Sequence, residues 1–127
     1  METELTELAW AAGFFDGEGS TSKAYATNDK TKYTKTRLSV PQKYPECLHR
    51  FQNALGGLGC IYHRRCDGMH FLSIQNLKGV DTALNLLWPY LSSIKREQAT
   101  KAGFVQGIIR EAKIGRPKGS KNRSKGE

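Results

Sequence analysis

Eight consecutive uncharged residues, Leu8-Ala9-Trp10-Ala11-Ala12-Gly13-Phe14-Phe15, limit what this chain can fold into more than any other stretch. Ala, Leu and aromatic residues in this mix, with Thr6 or an earlier Thr as cap, predict a helix over 5–16. Trp10 and Phe14 share one side, Leu8 and Phe15 another, and Ala9, Ala12 and Gly13 form a small-residue stripe. A helix without a polar face has to be covered on every side. One side suits the chain's own core. The small-residue side suits close approach of another helix, and in a chain of 127 residues, one domain's worth, a second subunit is its expected source.

Charge narrows the partner. Twenty Lys/Arg against twelve Asp/Glu give a net charge of +8, which makes a polyanion the expected ligand. Residues 1–19 carry −5 with no basic residue, residues 20–65 carry +7 and residues 113–127 carry +5. Such clustering favours a phosphate-binding surface with carboxylates beside it over a merely solvated face. No apolar run is long enough to cross a bilayer, and the acidic start, METELTEL, lacks a signal-peptide pattern. Cys47, Cys60 and Cys66 include no CxxC pair, which argues for an intracellular, reducing compartment.

Beyond Gly17 and Gly19, expected to stop the first helix, residues 20–28 and 33–42 read as two strands. Tyr33, Lys35, Arg37 and Ser39 alternate with Thr34, Thr36, Leu38 and Val40. In the first strand Lys23 and Tyr25 oppose Ala24 and Ala26, which leaves its buried face open. Pro45 opens a helix through Leu55, and Asp67-Gly68 turns a second hairpin between 60–65 and 69–75. Helices are expected over 79–91, until Pro89 and Tyr90 disturb the end, and over 95–113, the last with Phe104, Ile108 and Ile109 as its apolar residues. The order α-ββ-α-ββ-α-α is an α+β fold, an antiparallel sheet with helices on one side. Residues 1–114 form the expected domain, and the basic tail 115–127 has too few apolar residues to fold alone.

Residues 11–19, Ala-Ala-Gly-Phe-Phe-Asp-Gly-Glu-Gly, resemble the nine-residue signature of the LAGLIDADG homing endonucleases. Val40-Pro41-Gln42-Lys43, Pro89-Tyr90-Leu91 and Lys95-Arg96-Glu97-Gln98-Ala99 are similar to the single-motif members, and the resemblance covers about 5–112. It implies a saddle-shaped sheet, a homodimer joined through the motif helix at Ala9, Ala12 and Gly13, and metal-dependent cleavage of double-stranded DNA at a long near-palindromic site. Glu18 is implied as the Mg2+ ligand, with the Gly17 carbonyl beside it. Gln42 is implied as the group that orients water and Lys95 as the cation near the scissile phosphate. Asp16 is implied to be structural. Where similar enzymes place a basic residue four positions after the glutamine, this chain has Glu46, with His49 or Arg50 as candidate replacements.

Elementary electrostatics agrees on Glu18. A carboxylate at a helix C-terminus faces the negative end of the dipole and gains from a compensating cation. Two such helices side by side bring two carboxylates together, a setting for divalent metal and phosphodiester hydrolysis. For DNA, Tyr33, Lys35, Arg37 and Ser39 on the second strand and Tyr62 and Arg64 on the third are the expected base-reading residues. Arg37 and Arg64 suit guanine; Lys30 and Lys32 suit phosphate. Arg116 and Lys118, within Gly115-Arg116-Pro117-Lys118, resemble an AT-hook, with a plain electrostatic anchor equally open. Cys60, His63, Cys66 and His70 make a poor zinc site, since Cys60 and His63 fall on opposite faces of a strand. The alternative function is a binding module on the same fold, an intron RNA-splicing maturase or a DNA-binding regulator without cleavage.

Overall fold

The computed structural model describes residues 2–27 and 32–110. Lys30, Arg116, Lys118 and the tail 115–127 lie outside the described residues. The elements run α1 (Glu2–Glu18), β1 (Ser20–Thr27), β2 (Lys32–Gln42), α2 (Glu46–Ala54), β3 (Cys60–His63), β4 (His70–Ile74), α3 (Leu77–Leu87), a 3-10 turn (Trp88–Tyr90) and α4 (Ser93–Lys101). The strands form one sheet in the order β1-β2-β4-β3, antiparallel at each pairing. This is the α+β arrangement expected. No helix among the described residues is long and apolar enough to cross a membrane.

One face of the sheet holds the core. Leu38 and Val40 of β2 and Leu72 and Ile74 of β4 are buried there, against Ala11, Ala12 and Phe15 of α1, Leu48 and Phe51 of α2, and Val80, Leu84 and Leu87 of α3. Phe15 stacks on Phe51 with centroids 6.1 Å apart. Burying each such ring stabilises the fold by roughly 1.5–3 kcal/mol. Arg37, on the opposite face, is exposed. The register also settles β1. Thr21 pairs with Leu38 and is buried, while Ser22 pairs with Arg37 and is exposed.

Four expectations need correction. Ala12 is fully buried in the subunit's own core and is no part of a surface stripe; the exposed small residues are Ala9, Gly13 and Gly17. Gly17 lies inside α1, so Gly19 alone marks the break. The third helix starts at Leu77 rather than 79, because Asn76 caps it through its side-chain oxygen on the Gly79 amide; its regular part ends at Leu87, and Pro89 and Tyr90 disturb the end, as expected, in the 3-10 turn. The last helix stops at Lys101 rather than 113 because Gly103 and Gly107 take φ values of 105° and 85°, outside helical space. Phe104 is still buried, but Ile108 and Ile109 are 53% and 47% exposed.

The segment after α4 is pinned instead by charge. Arg110 sets its guanidinium on the Asp81 carboxylate at 2.8 Å through both Nε and Nη2, and its amide donates to the same group at 2.7 Å. Asp81 is fully buried, so these bonds replace its hydration. Asn85 adds to the clamp by accepting from the Gly107 amide.

Candidate functional site

The end of α1 is braced by α4 at regular intervals. Ser92, Lys95 and Gln98 stand three residues apart, near the helical repeat, and so meet one neighbouring surface. The Ser92 amide donates to both Asp16 oxygens, at 3.1 and 3.2 Å. Lys95 Nζ donates to the Gly19 carbonyl at 2.5 Å. Gln98 Oε1 accepts from the Thr21 amide at 3.0 Å, which satisfies a backbone donor on an edge strand. Ser92 also caps α4 by accepting from the Lys95 amide, so the cap fixes the turn that carries the lysine.

Lys95 thus reaches the backbone at the end of α1 one residue after Glu18. Glu18 is exposed, and its carboxylate takes no hydrogen bond from the described residues. It stands one residue before the carbonyl that Lys95 holds. Gly17 is exposed beside it. Asp16, by contrast, accepts from the Ser92 amide through both oxygens. Ser92 is not among the residues singled out from the sequence, although a Ser directly before a helical segment is a readable cap signal.

Gln42 lies farther off. It closes β2 opposite His70, three residues beyond Ser39, which pairs with Ser20. That places it about 10 Å along the strand from the start of β1. His70 Nδ1 donates to the Lys43 carbonyl at 2.9 Å and its ring stacks on His63 at 4.6 Å, which anchors this strand end. Glu46 is exposed in the first turn of α2. Arg50 does not replace a basic group there. Its guanidinium pairs with Glu7 at 2.8 and 2.9 Å and lies over the Trp10 ring at 4.0 Å. The hydrogen bond from Arg50 lowers the Glu7 carboxyl below its ordinary value.

The sheet carries the other candidates. By register, Lys35 pairs with Ala24, Tyr33 with Ala26 and Lys32 with Thr27. Arg37 is exposed and Ser39 half-buried. Tyr62 is 50% exposed. Arg64 pairs through Nε and Nη2 with Asp67 at the hairpin tip. Asp67 is thereby held down to about 2, first by Arg64 and then by the Met69 amide. Cys60 and His63 sit on opposite faces of β3, and among the described residues no group of three or more His, Cys, Asp or Glu side chains is placed to hold a metal ion.

This scaffold has relatives of known structure. The homing endonuclease I-CvuI, solved in complex with an I-CreI DNA target in 2 mM Mg with the DNA uncleaved, aligns with a TM-score of 0.71 and 28% identity. The alignment covers 79% of this chain and 65% of I-CvuI, so the chain spans about two thirds of that relative's length. The homing endonuclease I-TnaI aligns at 0.65 and 18% identity, over 75% of this chain and 67% of its own. The archaeal intron-encoded homing endonuclease I-Vdi141I, complexed with DNA, aligns at 0.60 and 21%, over 67% and 55%. No curated protein sequence matches significantly. Residues 11–107 match the family model described as LAGLIDADG endonuclease, a span that holds the C-terminal part of α1 with the motif, the whole sheet and the brace from α4, and the chain belongs to that family.

Proposed function

We propose that the protein is a homodimeric, site-specific endonuclease that hydrolyses double-stranded DNA with a divalent cation, Mg2+, at a near-palindromic target. The observation that carries this reading is the Lys95 ammonium held against the Gly19 carbonyl, beside the exposed carboxylate of Glu18. Within a homing-endonuclease family whose relatives are seen on DNA, that pairing supplies an anionic metal ligand and a cation for a phosphate.

The donors suit a hard cation. Glu18 and the main-chain carbonyl of Gly17 offer oxygen ligands. One such carboxylate per chain is a weak site, and two α1 helices packed through Ala9 and Gly13 pool two of them. The bound cation supplies positive charge at the scissile phosphate. Lys95 adds a second positive charge and exchanges the Gly19 carbonyl for a phosphate oxygen. Gln42 orients the attacking water. Tyr33, Lys35, Arg37 and Ser39 on β2, with Tyr62 and Arg64, are the base-reading residues, with Lys30 and Lys32 on phosphate and Arg116 and Lys118 extending the contact.

A cleavage-free binding module is the second reading, and one observation favours it. Glu46 stands where a cation would assist, and Arg50 is committed to Glu7. Incubating a randomised-site plasmid library with the protein in Mg2+, against an EDTA control, separates the two. Linear product from members that share one near-palindrome supports the nuclease. Retention of such members without cleavage supports the binder.

A further inference from the structure

The outer face of the sheet changes character row by row. Ser22 and Arg37 form one row; Ser20, Ser39, Ser73 and Cys60 form the next; Pro41, Phe71 and Tyr62 form the third. The third row is apolar across three strands. Tyr62 is 50% exposed there, and its ring stacks on Phe71 with centroids 5.3 Å apart. The Arg64 guanidinium covers the same Phe71 ring at 4.5 Å, and Asp67 neutralises it. An aromatic ledge of this kind gains little from phosphate oxygens.

In the major groove the apolar group on a base edge is the thymine 5-methyl. We propose that Tyr62, propped by Phe71, is a specificity-determining residue that reads one thymine 5-methyl group in each half-site. The inference rests on the DNA-binding reading above and adds the chemical feature recognised at this end of the sheet. Arg37, one sheet end away and without such a ledge, reads hydrogen-bonding edges instead.

The test uses the full chain. Bound sites are selected from a randomised duplex library, and the selected site is rebuilt with deoxyuridine in place of each thymine in turn. Removing the methyl at one position lowers wild-type affinity about fourfold per half-site. Tyr62→Phe keeps that discrimination, and Tyr62→Ser binds thymine and deoxyuridine sites alike. Thermal melting checks that Tyr62→Ser is folded; if it is not, Phe71→Leu, which removes the ring stack but keeps apolar bulk, shows the weakened discrimination instead. Wild-type indifference to deoxyuridine at every position, or unchanged discrimination in a folded Tyr62→Ser or Phe71→Leu variant, overturns the inference and leaves DNA binding intact. Failure to select any sequence overturns the DNA-binding reading, and the inference with it.

Discussion

Three glycines in one motif have three different reasons to be there. A Cβ at Gly19 would strike the ring of Phe15, which is fully buried and has nowhere to go. A Cβ at Gly13 or Gly17 meets nothing within 4 Å. Gly19→Ala is therefore expected to destabilise the subunit by about 1–3 kcal/mol through overpacking. Gly17→Ala is expected to leave stability unchanged or raise it by up to about 1 kcal/mol, because alanine is the better helix former. Urea unfolding of the two variants checks the contrast. Equal losses would mean that both glycines serve the backbone rather than the Phe15 contact. The motif spacing made all three glycines visible in the sequence, but their separate roles depend on a ring packed four residues earlier.

At the level of elements, the hairpin tip and the last segment are each held by one ion pair. Asp67 is depressed to about 2 by Arg64, so the contact contributes fully above the ordinary value of 3.8 and is lost as pH falls through about 2. NMR titration should show the Asp67 carboxyl with a midpoint near 2, returning towards 3.8 in Arg64→Ala. An unshifted midpoint in the wild type would contradict the pairing. Arg110→Ala strands the buried Asp81 carboxylate and is expected to cost about 3 kcal/mol by thermal or urea melting. A loss below about 0.5 kcal/mol would place Arg110 among ordinary surface charges. The sequence made the strands legible through the alternation at Thr34–Val40 and the Asp67-Gly68 turn, which are local signals. It misled at α4, where Phe104, Ile108 and Ile109 keep a helical spacing that two left-handed glycines cancel. The Asp81–Arg110 clamp was invisible for a different reason. It joins residues 29 apart, and nothing local marks either as the other's partner.

At the level of the whole molecule, the account turns on two subunits meeting at α1. The exposed strip runs through Leu5, Ala9, Gly13 and Gly17, and Leu5 is 55% exposed. Because Gly13 has open space around it within its own chain, Gly13→Leu should leave the subunit's melting unchanged. Association should weaken by about 1–3 kcal/mol, seen by sedimentation as a shift towards monomer. An unshifted dimer would move the interface elsewhere. The central claim is that Glu18 holds the metal for cleavage, and Glu18→Gln tests it most directly. The exchange keeps size and removes the charge, and it relieves repulsion between two facing carboxylates. With the site recovered from the library, binding and cleavage in Mg2+ are measured on the same duplex. The account predicts unchanged or tighter binding by Glu18→Gln with cleavage abolished; cleavage by that variant at a near-wild-type rate would contradict it.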